Sequence, residues 1–175
     1  RPDLSMLFME RVFSLTDENG YTAKLIPGKL FTGTGSKDLR NHLLTKTEVR
    51  HIVGFENKGI FDGIDDRYKF GAITFKNSGE TTQLHCKFLN RDTDILKNVE
   101  AETFAVPVEV LRDYSPRTAI YPQITREEEI PLLEKIVKHP PINDPSVEGW
   151  YVDLYKEELN RTRDSVRFIQ DESKR

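Results

Sequence analysis

The chain has 175 residues, a net charge of −3, 37% hydrophobic and 31% charged residues. This suits one domain, or one domain with an appendage, and excludes both a disordered chain and a protein that holds nucleic acid by bulk positive charge. A lone cysteine, Cys86, excludes an internal disulfide and a cysteine-based zinc cluster, and no apolar run is long enough to span a bilayer.

Leu4, Leu7, Phe8, Val12 and Leu15 recur at helical spacing and predict a helix over residues 3–15. Pro2 suits its first turn, and Asn19-Gly20 marks the turn after it. A strand is expected from Tyr21 to Ile26, stopped by Pro27-Gly28. Thr32 to Ser36 reads as a loop, with Ser36 placed to cap a helix carrying Leu39, Leu43 and Leu44. Val49 to Phe55 predicts a second strand, and a loop with Gly59 and Gly63 leads to a buried strand over Tyr68 to Phe75. Asn77-Ser78-Gly79 reads as a hairpin turn. Thr82 to Leu89 alternates, with Leu84, Cys86 and Phe88 opposite Gln83, His85 and Lys87, which predicts a half-exposed strand nearer an edge.

After about Val99 prolines become frequent and strands hard to place. Thr125 to Glu128 matches a capping box, followed by Ile130, Leu133, Ile136 and Val137 at helical spacing, and Pro131 argues that this helix begins near it. A short helix is expected over residues 153–159. The order predicts an α/β fold: a partial mixed sheet with an antiparallel end over residues 1–98, then a mostly irregular and helical connector over 99–175. The opening helix has no strand before it, so half of a doubly wound sheet is expected to lie outside the chain.

No catalytic constellation stands out. Gly33-Thr34-Gly35 is too short for a phosphate-binding fingerprint. His42, His51, His85 and His139 lack metal-ligand spacing, and Asp65-Asp66 beside Gly63 reads as a solvated loop, so no metal site is expected. Cys86, on the apolar face of its strand, is expected to be a buried structural thiol. Glu127, Glu128 and Glu129 fit a helix start favoured by the macrodipole.

Several segments together resemble one family. DLSMLFMER (3–11), Asn19-Gly20 and Leu25-Ile26-Pro27 are similar to the helix and strand that follow the catalytic motif of adenine-specific amino-group DNA methyltransferases. FENKGIFDGI (55–64) and YKFGAITF (68–75) resemble that branch's next strands and intervening loop. SPRT (115–118), Gly149-Trp150 and NRTRDS (160–165) resemble the connector toward the target-recognition domain in fused, type IIG-like (Eco57I-like) restriction–modification enzymes.

The resemblance implies a Rossmann-like methyltransferase sheet, S-adenosylmethionine as donor, the exocyclic amino group of adenine in DNA as acceptor, and a flipped target base. It also implies that the chain is a fragment, inactive alone. The family's Asn/Asp-Pro-Pro-Tyr/Phe motif and donor-gripping glycine loop are not in this sequence, so no catalytic residue is assigned. Phe8 matches the aromatic against the donor's adenine, with helix core as its other reading. Phe61 matches the aromatic against the flipped base, with a plug at the sheet end as its other reading. Lys58, Arg67 and Lys69 flank Phe61 and suit either phosphate contact or plain surface charge. Partners are then DNA through the full-length parent and no membrane, in the cytoplasm, with oligomeric state open. The alternatives are a free-standing nucleic-acid or protein-binding module on the same sheet, and a degenerate methyltransferase kept as a scaffold.

Overall fold

The computed structural model describes residues 3–141, 144, 146–148, 159, 160 and 162–168. Two compact units divide at Lys138/His139. In the first, helix α1 (Leu4–Leu15) leads to strand β1 (Tyr21–Pro27), a single helical turn α2 (Lys29–Thr32) and helix α3 (Lys37–Lys46). Strands β2 (Glu48–Glu56), β3 (Lys69–Lys76) and β4 (Gln83–Asn90) follow. A short turn α4 (Val99–Glu102), strand β5 (Phe104–Pro107) and helices α5 (Val108–Tyr114) and α6 (Glu129–Ile136) complete it.

The five strands form one mixed sheet in the order β1-β3-β2-β4-β5. Only β2 and β4 pair in parallel; every other neighbouring pair is antiparallel. Strands β1, β2 and β4 therefore run one way and β3 and β5 the other. The mixed α/β sheet with antiparallel neighbours agrees with the sequence reading.

Helix α1 begins where Asp3 accepts from the Ser5 hydroxyl (2.7 Å) and the Ser5 N–H (3.0 Å), which together hold the Asp3 carboxyl below its usual range. Its buried face differs from the expected one. Met6 and Met9 are buried and Val12 and Phe13 partly so, whereas Leu4, Phe8 and Leu15 are each about two-thirds exposed (68%, 65% and 68%). The segment is apolar nearly all round, so periodicity alone does not choose between its two stripes.

The main core lies between one sheet face and the helices. It gathers Ile26, Leu30, Phe31, Leu43, Leu44, Ile52, Ile73, Phe75, Leu84, Val106 and Leu111. Cys86 belongs to it, and burial pushes its thiol up to about 12, as suits a structural residue. Gly54 and Gly71 face each other across β2 and β3. A Cβ on Gly54 would strike the Phe88 ring, and one on Gly71 the Phe31 ring. Those two rings meet edge to face at 5.6 Å over the gap the glycines leave.

Ser36 stands at the start of α3 as expected, but its hydroxyl does not cap the helix; it donates to the Lys29 carbonyl (3.3 Å). Asn77-Ser78-Gly79 does not close a hairpin. The chain crosses the start of β2, where the Thr81 hydroxyl donates to the Thr47 carbonyl (2.8 Å) and accepts from the Val49 N–H (2.9 Å). As a result β4 is an interior strand, with β2 on one side and β5 on the other. Its polar residues Gln83 and His85 face a trough on the second sheet face, not an outer edge.

The first unit extends past the expected division at residue 98. Four-residue β5 joins the sheet, and Tyr121 and Ile124 enter the main core. What draws this segment in is Arg40, which is fully buried. Its guanidinium donates to the carbonyls of Leu30 (2.5 Å), Gly33 (2.8 Å), Thr118 (2.6 Å) and Ala119 (2.6 Å). Burial lowers the Arg40 pKa, but the four carbonyl dipoles replace much of its lost hydration. Helix α6 begins at Glu129, and Thr125 braces the turn before it: its N–H and hydroxyl both donate to Glu129 (2.8 Å each), one residue beyond the Glu128 that the capping-box spacing suggested. In the second unit, Asn160 and Asp164 close a turn that runs into a short 3-10 segment, Ser165–Arg167. Of the helix expected over residues 153–159, residues 153–158 fall outside the described residues, as do Pro2, Gly149 and Trp150, and Leu159 is not helical.

The trough on the second sheet face is the largest cavity described, about 740 Å3, and is lined at the amino-terminal ends of β1, β2 and β4 by Tyr21, Glu48, Arg50, His51, His85 and Glu100. The His51 and His85 rings lie 6.0 Å apart. Burial, with the neighbouring His85 and Arg50, holds His51 below its usual 6.5, against a smaller opposing effect of Glu100.

Arg40→Met removes the donors and strands four carbonyl oxygens, so unfolding in urea should show a loss on the order of 3 kcal/mol. For His51, the unfolded chain takes up the proton more readily than the folded one, so this residue lowers stability as pH falls below about 6.5. His51→Gln should flatten that part of the profile, read as a smaller shift in urea midpoint between about pH 7 and pH 5.

Candidate functional site

Strands β1, β2 and β4 all end on one edge of the sheet, at Pro27, Glu56 and Asn90. In open α/β sheets ligands gather at such carboxyl ends. This edge is also where the chain loops from β2 to β3 through residues 57–68. Between Leu25, Ile26 and Pro27 of β1, Phe61 and Ile64 of the loop, and Tyr68 and Phe70 leads a small apolar pocket of about 200 Å3. The larger trough lies at the opposite edge and includes none of the expected site residues. The carboxyl-edge pocket is therefore the better candidate, despite its size.

The loop is built from within. Asn57, fully buried, donates from its amide to the carbonyls of Phe61 (3.0 Å) and Ile64 (2.9 Å), and its amide oxygen accepts the Phe61 N–H (2.7 Å). Its own N–H donates to the Tyr68 carbonyl (2.8 Å), which joins the two ends of the loop. Gly59 and Gly63 take φ of +82° and +76°, a conformation that other residues adopt at a cost. Ile60 packs against the second-face cluster of Val53, Phe55, Phe70 and Ile95.

Phe61 stands on this scaffold, 41% exposed, with its ring 5.0 Å from Phe70 at 60°. Phe70 in turn stacks on Phe55 (5.1 Å, 18°). An aromatic column thus runs from the sheet's second face to the pocket. Asn57 was not singled out by the sequence reading, although an asparagine at a strand end, before a loop with two glycines, is a recognisable turn signal.

The flanking cations differ in what already holds them. Arg67 is bound by both oxygens of Asp65 (3.0 and 2.8 Å), which keeps the Asp65 carboxyl well below the usual range. Lys69 donates to the Gln123 side chain (3.0 Å). Lys58 is exposed and forms no ion pair among the described residues. Asp66, next to Asp65, is exposed too, and among the described residues no three acidic, histidine or cysteine side chains converge as metal ligands.

Phe8 lies apart from this pocket, on α1. It does not enter the core; its ring is exposed, with the Lys24 ammonium of β1 5.9 Å from the ring centre. Burial lowers the Lys24 pKa. Phe8 and Phe61 are thus both presented outward, one from the helix over β1 and one from the loop beside its carboxyl end.

Comparison with known proteins agrees with this architecture. Residues 1–61 match the family described as Eco57I restriction-modification methylase. No curated protein matches the chain. A solved structure concerned with complex assembly and conformational transition of the type I R-M system aligns with a TM-score of 0.53 at 17% identity, over 76% of this chain and 36% of that one. A second, of a modification subunit assigned to a type I restriction enzyme from Vibrio vulnificus YJ016, aligns with a TM-score of 0.42 at 20% identity, over 51% of this chain and 20% of that one. Among the described residues, no helix is long and apolar enough to cross a membrane. By the sequence of residues 1–61 and by a fold shared over three-quarters of its length, the chain resembles a restriction–modification methylase, and it spans about a third of the solved chain whose fold it shares.

Proposed function

We propose that the chain supplies the cofactor-distal half of a site-specific DNA adenine methyltransferase, carrying one wall of the donor site and the pocket for the flipped base. The observation that carries this reading is the apolar carboxyl-edge pocket beside a strand with a free edge. Strand β1 pairs on one side with β3, and among the described residues no strand pairs with its other side. Next to that edge, α1 exposes Leu4, Leu7, Phe8 and Leu15, a stripe that suits burial by a further layer. A preceding strand on this edge, ending in the Asn/Asp-Pro-Pro-Tyr/Phe motif, would bring the catalytic group alongside the pocket.

In this reading S-adenosylmethionine supplies the methyl group, and the exposed Phe8 ring offers a face to its adenine. Phe61 receives the target adenine once it has left the duplex, and stacking on an aromatic ring is worth about 1–3 kcal/mol toward offsetting that extrusion. Leu25, Pro27 and Tyr68 would offer the base apolar walls on its other sides. Lys58 is the cation best placed to meet a DNA phosphate, since Arg67 and Lys69 must first leave Asp65 and Gln123. The net charge of −3 fits a piece whose DNA grip is completed elsewhere, with residues 99–175 leading toward a target-recognition domain. The parent would work in the cytoplasm.

Two experiments test the reading. In the full-length enzyme, Phe61→Ala should lower kcat/KM for methylation by about 10-fold or more and weaken the fluorescence rise of 2-aminopurine at the target position. Unchanged turnover and unchanged fluorescence would overturn the base-pocket assignment. The chain expressed alone should neither bind S-adenosylmethionine tightly nor methylate DNA; robust methylation by it would refute the half-domain reading.

A further inference from the structure

The Phe61 ring lines the pocket beside Leu25, Pro27 and Tyr68 but keeps one side open to solvent. Its ring is partly exposed and touches Phe70 only at an edge. What fixes it is the backbone beneath, and that backbone is set by one side chain. We infer that Asn57 is a positioning residue for base capture: it holds the Phe61 ring at the pocket without touching the base. The inference rests on the base-pocket reading of Phe61.

The chemistry of the amide makes the assignment specific. Asn57 offers one acceptor and two donors, and it meets one N–H and two carbonyls. A flipped amide would set oxygen against both carbonyls and nitrogen against the Phe61 N–H, so the orientation is fixed. Both the N–H and the C=O of Phe61 are bound to this one side chain, which clamps the peptide units on either side of the Phe61 Cα. The third bond, to Ile64, closes the loop behind it. Asn57 itself is fully buried, so its amide is satisfied by these loop groups and not by solvent on its own side. Gly59 and Gly63, both at positive φ, stand on either side of Phe61, and the three amide bonds brace the loop that contains them.

A merely structural asparagine would lower stability without selecting one step of the reaction, so the test is a double-mutant cycle in the full-length enzyme. Asn57→Ala should lower kcat/KM for DNA by about 10-fold or more, as small misplacements of a contact group do. It should also reduce the 2-aminopurine signal, while S-adenosylmethionine affinity stays as in the unaltered enzyme. Added to Phe61→Ala, the same change should cost little more, because the ring it positions is already gone. If Asn57→Ala does not fold, Asn57→Ser, whose hydroxyl can still accept the Phe61 N–H, takes its place in the cycle. Losses that multiply in the double variant, or a 2-aminopurine signal unaffected by the asparagine change, would overturn the inference alone. A Phe61→Ala enzyme that works as well as the unaltered one would overturn the base-pocket reading and this inference with it.

Discussion

A charged side chain buried without a carboxylate holds the first unit together. The Arg40 guanidinium sits in the interior against four carbonyl oxygens, two from the α2 turn and its exit and two from residues 118 and 119. Burying such a charge is costly unless every donor finds an acceptor. Those carbonyls must therefore stay where they are, and Arg40, which reaches residues 118 and 119 across 78 and 79 residues of sequence, ties the two stretches that carry them together. Ala119 takes a φ of +51° in the same stretch, consistent with a backbone bent to present its carbonyl inward. Tyr121 and Ile124 can enter the core because this segment is held there.

The sheet that results has two unlike edges. At one, the carboxyl end of β1 and the loop that leaves β2 enclose an apolar pocket with the aromatic column of Phe55, Phe70 and Phe61 behind it. At the other, a polar trough collects histidines and carboxylates. The rigid part of the carboxyl edge is the loop from β2 to β3, which draws its order from a buried amide and not from regular secondary structure. A loop of this kind combines a braced backbone with an exposed tip.

The regular elements were legible because their physics is local. The alternation of Leu84, Cys86 and Phe88, the apolar run to Phe75, and the leucines of α3 each mark an element and its buried face within a few residues. What was not legible depends on partners distant in sequence. The four residues of β5 are too few for a period, and their place is decided by pairing with Leu84 and Cys86. The crossover after Gly79 depends on Thr81 meeting Thr47 and Val49, which a turn signal does not reveal. The choice of the Met6 and Met9 face in α1 depends on where the sheet lies. Arg40 reads in sequence like any surface arginine of a helix, since nothing near it announces the carbonyls it meets. At the candidate site, Phe61 could be singled out through its resemblance to a family pattern, whereas Asn57 signals a turn in sequence without showing which backbone groups its amide binds.

The opposed glycines of β2 and β3 have a consequence for how this sequence can change over time. Gly54 and Gly71 leave a gap that the Phe31 and Phe88 rings fill, so each position sets the size allowed at another. A methyl group gained at residue 54 demands a smaller side chain at residue 88, and one gained at residue 71 demands the same at residue 31. These four positions are separated by up to 57 residues of chain, roughly the length of a small domain. They nevertheless form a single heritable unit, free to drift together and scarcely at all alone.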